Sequence, residues 1–285
     1  MSLKNPVKYP VKYYSHLDAG APQLADTDGV IKTILKACLV TGYGTKAGAG
    51  WTALFDDAFR IVLRRPLRTG NPPDIKIENG IINGVASHRI VSQDNPTGLD
   101  DAVELAAVNL VARDSKTLNK WHLVVTDFGF LFAYAMAENG DSNNKQLGML
   151  YVGDLVGLAS NPSIMVASYH NSTTINGTIA PWSRGFASKE TPLKDLRSNK
   201  NYPYKSFAGV SGDEYQFNGD CVAQNIFLSD GGHSLPFYTS LGGSYSVNES
   251  GAVSIGGRPM LRVVNRMGID YDARPYYVPL DYWEL

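Results

Sequence analysis

The chain of 285 residues is long enough for one large domain or two modest ones, and 44% of its residues are hydrophobic. Its formal net charge of −1 argues against nucleic acid as the main partner, because phosphate binding needs a concentrated basic face. The two cysteines, Cys38 and Cys221, are too few for a disulfide framework and favour folding in a reducing cytoplasm.

The N-terminal stretch MSLKNPVKYPVKYY carries lysines and prolines but lacks the apolar h-region of a signal peptide. No window approaches the roughly eighteen unbroken apolar residues that a membrane span requires. We therefore expect a protein that is made in the cytoplasm and does not insert into a membrane.

The chain contains 16 Tyr, 28 Gly and 15 Pro, a composition typical of many short strands joined by tight turns. Tyrosine is also favoured at protein interfaces, where one end of the ring is buried and the other is wet. The predicted fold class is mostly β (α+β): an antiparallel sheet core with two helices, a long polar loop and an extended N-terminal arm.

The first segment, residues 1–27, has little periodicity and contains Pro6, Pro10 and Pro22. We interpret it as an extended arm with one strand around Val11 to Ser15. Two alternatives remain for this arm: it lies on a neighbouring subunit, or it is a loose terminus.

The clearest local pattern runs from Asp28 to Pro66. Asp28 is a good N-cap, and apolar residues then recur at helical spacing until Gly42, which can end the helix in a left-handed conformation. A glycine-rich connection leads into two predicted strands, Trp51 to Phe55 and Ala58 to Arg65. The pattern predicts a helix laid on a β-hairpin.

Two short strands are predicted next, Asp74 to Ile77 and Val85 to Val91. The following stretch LDDAVELAAVNLVARDS predicts the second helix, with Asp100 or Asp101 as its cap. Its apolar face would consist of Val103, Leu105, Ala106, Leu110 and Val111.

From Trp121 the pattern indicates strands again. WHLVVTD, FLFAYAMAE, QLGMLYVGDLVGL and SIMVASYH form the predicted sheet core over residues 121–170. Residues 171–215 are polar and aperiodic, and a loop of this length is either functional or anchored on something else.

Short strands are predicted to resume in the last third of the chain. They are Glu214 to Phe217, Val222 to Leu228, Gly243 to Val247, Val253 to Ile255, and Pro259 to Val264. The aromatic tail YYVPLDYWEL then either packs on its own core or docks into the next subunit. The predicted domain organisation is an arm over 1–27 and a single β-rich domain over 28–285 with the loop excursion at 171–215.

Several residue patterns that suggest chemistry have simpler structural explanations. The glycines between Gly42 and Gly50 follow a predicted helix and precede a strand, the reverse of a phosphate-binding loop. Asp127-Phe128-Gly129 reads as a hairpin turn, and the acidic pairs at Asp56-Asp57 and Asp100-Asp101 as a turn and a helix cap. The five histidines show no metal-binding spacing. We therefore assign no catalytic, cofactor-binding or metal-binding residue and do not predict an enzyme.

The nearest approach to a basic face is formed by Arg60, Arg64 and Arg65. Arg60 and Arg64 share one side of a predicted strand. We interpret the three as a solvated hairpin edge.

One resemblance takes the interpretation further. The run KYYSHLDAGAPQLADTDGVIKTILKACLVTGYGTKAGAGWTALFDDAFRIVLRRP resembles the N-terminal signature of a family of tailed-bacteriophage virion structural proteins. The resemblance covers roughly residues 8–66 and continues, collinear but weaker, in YVGDLVGL and GGRPMLRVV. It implies a virion component, synthesised in the host bacterial cytoplasm.

The function expected from this resemblance is that of a structural subunit, in the tail or baseplate, that assembles symmetrically with copies of itself and with other phage structural proteins. The alternatives are a tail module that binds a host-surface glycan, a capsid-associated protein, and a hydrolase of cell-wall polymer. Because Trp and Tyr dominate interface hot spots, we expect contacts from aromatic residues outside the central sheet. These interface candidates are Tyr9, Tyr13, Tyr14, Trp182, Tyr202, Tyr204 and Trp283.

Overall fold

The structure, a computed structural model, describes most of the chain between residue 7 and the C-terminus. The described residues are 7–24, 29–67, 71–82, 85–111, 120–137, 145–157, 163–168, 193–195, 201–202, 222–227, 233–241, 251–264 and 275–285. Within them the chain is mostly β, with antiparallel sheets and one α-helix.

The elements before the sheet core include that helix, α1 (Val30–Lys36), which continues as a π-helical turn over Ala37–Thr41. The strands of this part are β1 (Lys8–Pro10), β2 (Lys12–Ser15), β3 (Thr52–Asp56), β4 (Arg60–Arg64), β5 (Asp74–Ile82), β6 (Val85–Asp94) and β7 (Val103–Val111).

The remaining elements are all strands. They are β8 (Trp121–Thr126), β9 (Gly129–Ala137), β10 (Lys145–Asp154), β11 (Val156–Gly157), β12 (Ser163–Ser168), β13 (Leu193–Asp195), β14 (Asn201–Tyr202), β15 (Val222–Phe227), β16 (His233–Leu241), β17 (Gly251–Ile255), β18 (Arg258–Val264), β19 (Pro275–Pro279) and β20 (Tyr282–Glu284).

A seven-stranded sheet in the order β14-β13-β12-β10-β9-β8-β2 forms the middle of the molecule. Alternate residues of its strands enter two different cores, as the two-residue period of a strand requires. On β9, for example, Phe130 and Phe132 face one core and Leu131 and Ala133 the other. Both faces of this sheet are therefore covered, which explains its long apolar runs.

The first core lies between the middle sheet and a layer built from α1 and the five-stranded sheet β3-β4-β5-β6-β7. Ile31, Ile34 and Leu35 of α1 are fully buried in it. The helix and the hairpin β3–β4 confirm the prediction for this stretch. Asp28 lies outside the described residues, and Gly29 occupies the N-cap position in a left-handed conformation.

The second core lies between the middle sheet and a six-stranded sheet, β11-β16-β19-β18-β17 with β15 paired to β16. Leu235, Phe237, Leu261 and Val278 fill it from that side, and Trp283 of β20 closes it. The four strands predicted for residues 121–170 are confirmed as β8, β9, β10 and β12. No helix among the described residues is long and apolar enough to span a membrane.

The prediction of a second helix is wrong: Val103 to Val111 form the strand β7, paired antiparallel with β6. Glu104 of β7 accepts from Lys76 of β5 and Arg89 of β6. Intrinsic helix propensity is a weak preference, measured in tenths of a kcal/mol per residue for ordinary residue types. Pairing with a neighbouring strand therefore decides that this segment forms a strand and not a helix.

Two other expectations need correction. The strand predicted around Val11 to Ser15 is confirmed as β2, but the described part of the N-terminal segment pairs within the chain, β2 with β8 and β1 with β20, and does not extend as a free arm. The predicted long loop contains β13 and β14, which extend the middle sheet beyond β12. The strands predicted at 214–217 and 243–247 lie outside the described residues.

Candidate functional site

The aromatic residues predicted for intersubunit contacts are divided between the two ends of the chain. Tyr9 of β1 and Trp283 of β20 are register partners, and their rings both contact Phe128, at centroid distances of 5.2 and 5.7 Å. Trp283 is only 1% exposed, and its indole N–H donates to the Pro279 carbonyl at 3.2 Å. The aromatic tail thus packs on its own core, one of the two alternatives predicted for it, with Trp283 buried within the chain.

Tyr13 and Tyr14 lie side by side in β2, on opposite faces of the strand. Tyr14 is 2% exposed, and its hydroxyl donates to the Ala47 carbonyl at 2.7 Å. Burial raises the pKa of Tyr14 to about 12. Tyr13 is half-buried, with its hydroxyl 2.8 Å from Nδ1 of His122. Tyr14 is therefore a residue of the first core, whereas Tyr13 remains partly exposed.

The other three aromatic residues predicted for intersubunit contacts are Trp182, Tyr202 and Tyr204. Tyr202 belongs to β14 at the outer edge of the middle sheet. Trp182 and Tyr204 lie outside the described residues. The structure thus brings together Tyr9 with Trp283, whereas Tyr13 and Tyr14 contact different residues on the two faces of β2.

A polar cluster that the sequence analysis did not identify holds β2 against the glycine-rich connection. Its centre is Asp18, which accepts from Tyr43 at 2.7 Å, from the Ser15 N–H at 2.7 Å and from Lys46 at 2.8 Å. Burial acts to raise the pKa of Asp18, but these hydrogen bonds outweigh burial and the net pKa is lowered. Lys46 also donates to the Tyr13 carbonyl at 2.8 Å.

The glycines of the connection allow this close packing. A Cβ atom on Gly44 would overlap the Ala19 carbonyl oxygen, and one on Gly48 would overlap the Val40 carbonyl oxygen. Gly42 and Gly44 also have positive φ angles of 79° and 52°. The glycines are needed because backbone lies against backbone here.

His122 is the buried ionisable group next to this cluster. Its ring is 6% exposed and lies 5.3 Å from the ring of His16. Burial and the nearby His16 and Lys120 lower the pKa of His122 to about 4. We assign the neutral tautomer with a bare Nδ1, because that atom then accepts from the Tyr13 hydroxyl.

Each of the three arginines at the end of the hairpin is paired with a carboxylate. Arg64 makes a two-pronged contact to Asp74 at 2.9 and 2.7 Å, and Arg60 binds Asp57 and Asp100. Strand β4 lies inside the five-stranded sheet, so the prediction of an edge is wrong. The charges of all three arginines are therefore neutralised locally by carboxylates.

Arg65 has a different role from its neighbours because it is buried. Its guanidinium contacts Asp154 at 2.6 and 3.1 Å and the Phe128 carbonyl at 2.7 Å. The two charged side chains are 5% and 7% exposed. This pair joins the segment after β4 to the end of β10 in the middle sheet.

The adjacent carboxylates are also used in structural contacts. Asp56 pairs with Lys32 and Lys36 of α1, which ties the hairpin to the helix. Asp57 accepts from the backbone N–H groups of Phe59 and Arg60 and thereby closes the turn. The interpretation of this pair as a turn is confirmed for Asp57, whereas Asp56 is the last residue of β3.

A small cavity lies beside the C-terminal strands and was not foreseen from the sequence. Arg258 forms its polar wall, held by Asp281 at 2.9 Å and stacked 4.3 Å from the ring centroid of Tyr282. Burial acts to raise the pKa of Asp281, but the hydrogen bonds from Arg258 and from the Tyr282 N–H outweigh burial and the net pKa is lowered. The cavity measures about 80 Å³. Small-molecule sites have volumes of roughly 300 Å³ or more, so this cavity is too small for a glycan unit.

Comparison with known proteins adds no relative to this description. No protein-family model, curated protein or solved structure matches the chain.

Proposed function

We propose that this protein is a structural subunit of a tailed-bacteriophage virion, in the tail or baseplate, and that it works by symmetric association with copies of itself and with other virion proteins. The proposal starts from the resemblance of roughly residues 8–66 to the signature of virion structural proteins. The contacts that the residues of this signature make within the chain support the proposal further.

The observation that carries the proposal is the interlocking of the signature residues. Tyr14 bonds to Ala47, Lys46 bonds to Asp18 and the Tyr13 carbonyl, and Gly48 packs on Val40. These contacts fasten the N-terminal strand, the helix and the hairpin into one unit over a shared core. A signature that specifies a rigid scaffold favours a structural role, since rigid modules repeat without distortion in an assembly.

The test is the assembly state of the purified full chain together with its location in phage particles. We expect a symmetric oligomer by light scattering and electron microscopy, and labelling of intact particles at the tail by antibodies raised against the protein. Saturable glycan binding by a monomer, or release of soluble fragments from cell-wall polymer, would contradict the proposal in favour of the host-binding or hydrolase alternative.

A further inference from the structure

The outer edge of β17 differs from the other long sheet edges among the described strands. Leu54 of β3 and Leu105 of β7 are extra residues that shift the register with the neighbouring strand, and such bulges protect an edge. At the edge of the middle sheet, Lys46 donates to the backbone of β2. Strand β17 keeps an unbroken register with β18 over five residue pairs, and its sequence GAVSI contains neither charge nor proline.

The hairpin geometry shows which backbone groups of β17 point outward. A two-residue turn, Gly256-Gly257 with φ angles of 58° and 78°, joins the closing pair Ile255 and Arg258. Hydrogen-bonded and non-hydrogen-bonded pairs then alternate along the hairpin, so the pair Ser254–Pro259 is of the non-hydrogen-bonded kind. Pro259 has no N–H to offer there, and its carbonyl accepts from Leu280 on the other side, as this assignment requires.

Two residues of β17 therefore direct their N–H and C=O groups away from β18. They are Ala252 and Ser254, whose side chains are exposed, whereas Gly251, Val253 and Ile255 bond to β18. No described strand pairs with this outer edge.

This arrangement is complementary to itself. In an antiparallel pair of two β17 strands centred on Val253, Ala252 lies opposite Ser254 of the other copy, and Ser254 lies opposite Ala252. Both pairs are of the hydrogen-bonded kind, so four backbone hydrogen bonds form, and Val253 meets its own counterpart at the closer, non-hydrogen-bonded position. No like charges are opposed, and the exposed side chains are small.

We propose that β17 pairs with β17 of a second copy around a two-fold axis, joining two six-stranded sheets into one continuous sheet. This inference rests on the proposed function and deepens it, because it names one interface through which the subunit assembles. The occupant is a second copy because the pattern of outward groups matches itself without any change of register.

The test introduces charges at the two outward residues of the full chain. Ala252→Lys with Ser254→Lys places lysine opposite lysine twice at the two-fold axis. We expect the dissociation constant of the pair to rise at least about ten-fold, measured by sedimentation over a concentration series.

The matched control keeps the number of substitutions but changes one sign. In Ala252→Lys with Ser254→Glu, each lysine meets a glutamate of the other copy, and we expect association to return to at least the wild-type level. Circular dichroism and melting temperature of both variants check that the exposed hairpin still folds. If the edge binds a different peptide and not a second copy, the two variants will have the same mass in solution. That result would overturn the inference.

The outcomes separate this inference from the proposed function. If the wild-type protein and the double-lysine variant assemble equally well, the β17 pairing is wrong, while a virion role through another surface stands. A wild-type protein that stays monomeric at every concentration also rules the pairing out. If the charge pattern controls association but antibodies do not label particles, the pairing stands and the proposed virion function fails.

Discussion

At the scale of single residues, His122 shows how far burial changes an ionisable group. His122 belongs to β8 of the middle sheet, and its ring accepts from the Tyr13 hydroxyl beside the polar cluster. The pKa of about 4 means that the folded protein keeps this ring neutral where an exposed histidine is charged. The sequence shows only that His122 falls in an apolar run.

The first prediction concerns stability in mild acid. As the pH falls below about 6.5, the unfolded chain protonates His122 but the folded chain does not until about pH 4. The unfolded state therefore binds more protons in this window, and the free energy of unfolding falls by about 3 kcal/mol across it. Below the folded pKa this contribution levels off. Urea unfolding at a series of pH values measures the effect.

Two variants isolate the group responsible. His122→Gln retains an acceptor for Tyr13 but does not titrate, so the decline between these pH values should flatten. Tyr13→Phe leaves the ring buried and should keep the decline. An equally steep pH dependence in His122→Gln would assign the effect to another group.

At the scale of elements, short-range patterns predicted the α1–hairpin unit well and the strand β7 badly. The helix was predictable because its apolar spacing and the terminating Gly42 agree over a single stretch of chain. The apolar residues of β7 also recur at helical spacing, but Lys76 of β5 and Arg89 of β6 supply ion-pair partners for Glu104. A sequence window cannot contain those partners, because they come from residues before it.

The second prediction tests the close packing of the glycine connection on the π-helical turn. Gly48→Ala would force a Cβ into the Val40 carbonyl oxygen, and we expect a loss of about 2 kcal/mol or more in the free energy of unfolding. The control is Gly251→Ala, where a Cβ meets nothing within 4 Å. Denaturant titration compares the two, and equal effects would show that the connection tolerates a side chain.

At the scale of the whole molecule, three layers share two cores, and a buried ion pair crosses between layers. Arg65 directly follows β4 of the five-stranded sheet, Asp154 ends β10 of the middle sheet, and the two are separated by 89 positions in the chain. Both lie next to Phe128, whose carbonyl accepts from Arg65 and whose ring packs on Trp283. The ends of the chain, the hairpin and the middle sheet therefore meet at this point.

The third prediction concerns this ion pair. Asp154→Leu leaves the Arg65 charge buried without its carboxylate, and we expect it to cost about 3 to 5 kcal/mol of folding free energy. The double variant Arg65→Met with Asp154→Leu removes both charges and should cost less than the single one. Asp100→Asn, which breaks an exposed pair with Arg60, should have no measurable effect. A double variant less stable than Asp154→Leu would show that the pair is not the source of the coupling.

Much of the secondary structure was determined locally. The apolar period of α1, the hairpin after it and the four strands of the sheet core follow from contacts between residues close in sequence, and these predictions are confirmed. Cys38, on the apolar face of the helical segment, is buried as that apolar period requires.

Tertiary structure alone decided where the ends of the chain go. In the sequence, Tyr14 and Trp283 cannot be distinguished from exposed interface aromatics. The pairing of β1 with β20 and of β2 with β8 buries them in the chain's own cores. The physical reason is that strand pairing and layer packing join residues more than a hundred positions apart. The free energies of strand pairing and of layer packing depend on the surface of the partner element, and no local stretch of sequence specifies that surface.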